Sequence, residues 1–185
     1  MSDYPRYTVN SIAYPSPRPS WVLPFNISTP TAATEIAAVE AGTQRVCRLM
    51  RLVIWQVGAQ TTGGNVAFSW ISYTTAGSGS TVTPARLGNN GQVADGITFS
   101  GICRSGNTGA SLGGGTTTTI VTEWPWIPAT TVAAFGPLIL DLGGQGMCYE
   151  LPTVIPGVGL TLRHAGCAGA TGSTQGYLVF TEDPS

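Results

Sequence analysis

A chain of 185 residues and 19.1 kDa, with a formal net charge of −1 and only 9% charged residues, is one domain or one domain with an appendage, long enough to fold without disulfides or metal. Its basic residues are eight Arg and no Lys, and they form no run; this excludes the clustered charge that binds nucleic-acid backbones, and the phosphate-loop and Schiff-base chemistries that need a lysine. In place of charge stand 25 Gly, 13 Pro and 25 Thr, the composition of an all-β protein with many turns.

Residues 1–30 are set apart by Pro5, Pro15, Pro17, Pro19, Pro24 and Pro30, with Tyr4, Tyr7, Tyr14, Trp21 and Phe25 spaced among them. Proline removes backbone donors and resists a sheet interior, so the segment is expected to be an extended arm, with residues 31–185 forming a single β-sandwich domain. The arm either wraps its own domain or reaches a neighbouring subunit with its aromatics as anchors. On the second reading, deleting residues 1–24 leaves the sandwich folded and abolishes association. The N-terminus shows no basic segment followed by an apolar one, and no stretch approaches about 18 uninterrupted apolar residues. The expectation is therefore synthesis in a cytoplasm, with no membrane partner and with Cys47, Cys103, Cys148 and Cys167 as reduced, buried thiols; the four also allow a disulfide set with three connectivities.

Residues 31–40 fit a short helix or a strand, and their place between proline and Gly42 favours the strand. The longest apolar block follows. Residues 46–57 and 65–74 are split by a polar, glycine-bearing bend at 58–64, and they read as a central hairpin. Leu52, Val53 and Ile54 predict a strand covered on both faces, while Val66, Phe68 and Trp70 alternate with Ala67, Ser69 and Ile71 at a period of two. Weaker strand signals lie near 81–86 and at 97–103. Residues 87–91 are a loop, and 105–115 are the most glycine-dense loop. A β-rich run at 116–122 leads into the Trp124-Pro125-Trp126 bend, and further strands are expected at 137–142, 147–151, 159–164 and 176–182. Eight to ten short strands bounded by Gly and Pro, with no convincing helix and no internal repeat, predict a β-sandwich of jelly-roll-like antiparallel sheets.

Candidate sites are few. His164 is the only histidine, so no multi-histidine metal site exists, and any Ser-His-Asp or Cys-His arrangement would have to use an imidazole set in an apolar strand. A structural role fits it best. His164 and Cys167, with Cys148 near by, supply at most an incomplete zinc set without paired spacing. Asp95, Glu123, Asp141 and Glu150 are the inventory for a two-carboxylate glycosidase, with Asp141 and Glu150 flanking a glycine-rich turn. Trp124 and Trp126 suit either a sugar-stacking platform or a structural or interface plug. No cofactor is expected.

Four stretches carry a family likeness. Residues 48–57 resemble the first core strand of small tailed-phage virion proteins. Residues 73–84, with Thr-Ala-Gly-Ser-Gly and then Thr83-Pro84, resemble the turn that follows in them. Residues 151–163 and 176–182 resemble their last two strands. The likeness spans residues 36–182 and implies a capsid decoration (cement) protein, or a related minor head or tail protein, with a jelly-roll-like fold and no catalytic residues. It further implies residence on the virion surface, with the major capsid protein and neighbouring copies as partners; trimers are common in such proteins, and monomers and dimers are known. The expected partner-binding residues are Tyr4, Tyr7, Tyr14, Trp21, Phe25, Trp124 and Trp126. The alternative is a carbohydrate- or receptor-binding jelly-roll module that uses Trp124 and Trp126, and a hydrolase using Asp141 and Glu150 comes last.

Overall fold

The structure is a computed structural model that describes residues 19–57, 64–65, 67–87, 98–106, 111–123, 126–127, 134–141, 159–167, 169 and 171–184. Tyr4, Tyr7, Tyr14, Asp95, Trp124, Cys148, Glu150 and the strand expected at 147–151 lie outside the described residues. Among the described residues there is no helix. The strands are β1 (Ser20–Ser28), β2 (Thr34–Glu40), β3 (Arg45–Val57), β4 (Gly64–Asn65), β5 (Phe68–Ala76), β6 (Ser80–Val82), β7 (Ala85–Arg86), β8 (Ile102–Ser105), β9 (Gly113–Glu123), β10 (Trp126–Ile127), β11 (Ala134–Asp141), β12 (Gly159–His164) and β13 (Ser173–Pro184).

Two antiparallel sheets pack face to face. Sheet A has the order β11-β3-β13-β1-β7 and sheet B the order β6-β8-β2-β12-β5-β9, while β10 and β4 form a separate two-stranded ribbon. Without the short strands, the order is β1-β13-β3-β11 opposite β2-β12-β5-β9, with the chain passing from sheet to sheet as a jelly roll does. One core fills the space between them. Trp21, Leu23, Phe25, Leu49, Leu52, Ile54, Leu178 and Phe180 enter from sheet A, and Ile36, Val39, Phe68, Trp70, Cys103, Leu160 and Leu162 from sheet B.

The apolar block at 46–74 is therefore not a hairpin. Its arms, β3 and β5, lie in opposite sheets and meet through their core side chains. Periodicity reports which face of a strand is buried, and it is silent on which sheet the strand joins. Leu52, Val53 and Ile54 are all buried, as their apolar run requires, and β2 is a strand buried along its whole length. Strand β9 starts at Gly113, inside the glycine-dense stretch read as loop, because the Tyr73 ring lies where a Cβ on Gly113 would stand. Strand β8 begins only at Ile102, later than expected. The residues before it put Phe99 edge-on to Phe180, at 5.2 Å between ring centroids, and 5.8 Å from Trp21.

The arm expected over residues 1–30 also needs correction. From Ser20 it is β1, paired with β13 along all of Ser20–Ser28. Trp21, Leu23, Phe25 and Ile27 point into the core. Pro24 is tolerated for a specific reason. The carbonyl of Pro19 accepts from Glu182 of β13 and the amide of Thr29 donates to Gly172 just before β13, at 3.0 Å each, whereas the carbonyl of Ser20 accepts from Leu87 on the β7 side. Backbone groups alternate sides along a strand, so the missing donor of Pro24 falls on the β7 side. There β7 reaches only Trp21 and Val22. Sheet A begins at about residue 20, and Trp21 and Phe25 are core residues, not partner anchors.

With no lysine to guard its edges, the fold uses other devices. Pro24 blocks β1. The ladder of β11 with β3 shifts register between Phe135 and Leu138, where Pro137 sits, and β9 carries two register shifts against β5, with Gly115 at φ 69°. Prolines and bulges twist or interrupt an edge and so discourage pairing with another chain.

Candidate interaction face

The register of sheet A fixes what it turns outward. One row across the sheet is Pro24, Tyr177, Val53 and Ile139, from β1, β13, β3 and β11; the next is Val22, Val179 and Arg51, and a third is Asn26, Gln175 and Trp55. The outer side of a sandwich sheet is ordinarily polar. Here its centre is apolar: Ile139 is 56% exposed, Pro24 is exposed, Tyr177 and Val179 are half-buried, and Val53 is nearly covered between them. Apolar groups gathered on an outer face are a candidate interaction surface.

Trp55 is held ready on that face. Its indole Nε1–H donates to Gln175 Oε1 at 3.2 Å, Gln175 Nε2 donates to Ser173 Oγ at 2.7 Å, and the ring meets Tyr177 edge-on with centroids 6.4 Å apart. Its polar atom is satisfied and its rotamer fixed, so contact costs little additional ordering. Toward the N-terminal end of β1 the same face sinks into a groove of about 680 Å³, lined by Val22, Met50, Arg51, Tyr177, Val179 and Thr181. Leu87 stands on its rim, 44% exposed. Thr181 also lines the groove; the residue is 8% exposed, and its hydroxyl is buried without a hydrogen-bond partner.

Charged groups elsewhere serve the fold. Glu40 accepts a hydrogen bond from the Tyr73 hydroxyl at 3.0 Å and pairs with Arg104 of β8. Gly159 lies between Glu40 and Tyr73 in the register, and its lack of a Cβ lets the phenol cross β12 to reach the carboxylate. Burial, and after it the charge of Glu35, raises the Tyr73 hydroxyl well above its ordinary range, so it stays a donor. Glu35 accepts from the backbone amides of Leu112 and Gly113, the latter at 2.8 Å, and so clasps the start of β9 over sheet B. Glu182 does the same for the segment before β8, accepting from the amide and the hydroxyl of Ser100. These buried carboxylates were missed in the sequence, where they look like any surface Glu; for Glu35 and Glu40 the signal was their place in an otherwise apolar strand, Thr34–Glu40.

Cys47, Cys103 and Cys167 are free and buried. Burial, reinforced by neighbouring acidic groups at Cys47 and Cys103, pushes those two thiols far above their usual range and keeps them protonated and inert. Among the described residues no three His, Cys, Asp or Glu side chains gather to hold a metal ion. Glu123 and Asp141 lie at the ends of β9 and β11, in opposite sheets, and Trp126 pairs with Asn65 in the β10–β4 ribbon.

His164 is fully buried, accepts from the amide of Gly166 through Nδ1 at 2.9 Å, and packs edge-on against Phe68. Burial lowers its pKa from 6.5 to about 4. Between those values the unfolded chain binds a proton that the folded chain refuses, so stability falls as the pH drops, by about 1.4 kcal/mol per unit and about 3 kcal/mol in all. Urea midpoints measured from pH 7 to pH 5 are expected to fall accordingly, and His164→Gln is expected to flatten that slope from a lower starting stability. A wild-type midpoint constant over this range contradicts the assignment.

No protein-family model, curated protein or solved structure matches the chain.

Proposed function

We infer that the protein is a non-enzymatic virion structural protein, a decoration or cement subunit on the outside of a phage head, made in the host cytoplasm. It stabilises the shell through contacts with the major capsid protein and with neighbouring copies, of which a trimer is the expected assembly. The observation that carries this reading is the apolar outer face of sheet A, where Ile139 and Tyr177 stand beside the nearly covered Val53 and the braced Trp55 flanks them. A surface with few charges adheres with little ion desolvation to offset. The guarded sheet edges direct adhesion to this face, in place of strand addition. Jelly rolls also build lectins and cupins, so the fold supports the reading only as an analogy.

The test is cosedimentation of purified protein with phage heads that lack it. Wild-type protein is expected to travel with the heads. Trp55→Ala combined with Ile139→Asp, both outside the core, is expected to weaken binding by about 100-fold, the effect of losing a buried aromatic anchor. Wild-type protein left at the top of the gradient, or a variant that binds as well, defeats the reading.

A further inference from the structure

We propose that the groove at the β1 end of sheet A is the receptor for the N-terminal arm, residues 1–18, of a second copy of this chain. The inference rests on the reading of sheet A's outer face as adhesive, and it names the occupant of one part of that face.

Three observations point to this occupant. The first is chemical fit. The groove walls are mainly apolar, from Val22, Met50, Tyr177 and Val179, with Arg51 and Ser20 beside them, and Thr181 lines it with a hydroxyl that is buried and without a partner. Such a site suits an amphipathic group with an apolar body and a polar tip, which can bond the orphaned hydroxyl on entry. The arm carries Tyr4, Tyr7 and Tyr14. Tyr4 and Tyr7 are three residues apart, one turn of a polyproline helix, and so share a side in that conformation.

The second is position. Ser20, the first residue of β1, itself lines the groove, so the arm joins the sandwich at the groove's own end. When copies associate around a symmetry axis through this end, every exit point lies close to a neighbour's groove. Eighteen residues at about 3.1 Å each reach about 55 Å, ample for the crossing.

The third is direction. Occupying its own groove would require the chain to reverse just before Ser20. Pro15, Pro17 and Pro19 alternate with Ser16 and Arg18 there. Each proline fixes its own φ, and each residue before a proline favours extended backbone, so the sequence from 14 to 19 opposes a reversal. That preference favours a neighbour's groove over the chain's own.

The experiment is complementation between two full-length variants, read as molar mass by light scattering over a concentration series without phage heads. One variant loses the arm's aromatics (Tyr4→Ser, Tyr7→Ser and Tyr14→Ser); the other closes the groove (Val179→Asp). Leu87→Asp, at an exposed rim position, is a second groove variant in case Val179→Asp fails to fold, and far-UV circular dichroism checks all of them. The wild type is expected to self-associate, and each variant is expected to be monomeric or at least tenfold weaker in association. Mixing an arm variant with a groove variant is expected to restore a mixed complex, because one intact arm then meets one intact groove. A wild type that is monomeric at every concentration overturns the proposal, as do variants that keep the wild-type mass or a mixture that stays monomeric. Complementation without head binding would retain the arm contact and discard the virion reading; head binding without complementation would do the reverse.

Discussion

Deleting residues 1–24 is expected to unfold the protein, whereas deleting residues 1–18 is expected to leave its cooperative melt in place. The longer deletion removes Trp21 and Leu23, which are 4% and 0% exposed, together with the first five positions of the β1–β13 ladder. Truncating one buried Trp or Leu typically costs about 2–5 kcal/mol, and losing both with their backbone bonds approaches the whole stability of a domain, about 5–15 kcal/mol. Phe99, which packs on Phe180, would also lose the indole beside it. The shorter deletion keeps Pro19, whose carbonyl accepts from Glu182 at 3.0 Å, and every strand after it. Thermal melts followed by circular dichroism decide the matter. A cooperative transition near the wild-type temperature in the 1–24 deletion would contradict the placement of β1.

That deletion shows where the sequence was legible and where it was not. Strands β2, β3, β5, β12 and β13 announced themselves by apolar runs or alternation between Gly and Pro. Strand β1 alternates as cleanly, with Trp21, Leu23, Phe25 and Ile27 on one side, but the prolines around it outweighed the period. Only the backbone bonding shows that Pro24 sits out of phase with the ladder that matters. The false hairpin at 46–74 arose because a bend within a sheet and a crossing between sheets have the same local chemistry. The apolar outer face was hidden for a related reason. Val53 and Ile139 signal burial in isolation, and only the register reveals that they stand with Tyr177 on the side away from the core. The groove needs side-chain positions from three strands and could not be read at all.

The second large effect is expected at Glu40. Glu40→Ala leaves the Arg104 guanidinium, nearly buried, without its carboxylate, and leaves the Tyr73 hydroxyl without its acceptor. Breaking a buried pair by removing one partner costs about 3–5 kcal/mol, much of it the penalty of the abandoned charge. Replacing both members with apolar side chains, Glu40→Met with Arg104→Met, is expected to recover most of that loss, since it removes two desolvation penalties together. Urea denaturation of the single and double variants makes the comparison. A double variant less stable than Glu40→Ala would mean that the pair contributes net stability of its own. Tyr73→Phe, which spares the ion pair, is expected to cost about 1 kcal/mol.

The strand order of the jelly roll has a bearing on how the chain is made. The centre of sheet A is β13, lying between β1 and β3, and the centre of sheet B is held by β12, between β2 and β5. Both come from the last 27 residues of the chain, from Gly159 onward. A ribosome that has delivered the strands before Gly159 has therefore delivered two sheets, each with a central strand missing. Trp21 and Leu52 then lack the β13 ladder on one side, and Trp70 lacks the β12 ladder. Folding waits for β12 and β13, and nearly all of its decisive pairings join residues far apart in the chain, as Ser20 with Thr181. Such non-local topology places folding in the millisecond-to-second range. During that interval the nascent chain has little charge to keep it apart from its neighbours, so its yield in a cell depends on how quickly those last two strands arrive.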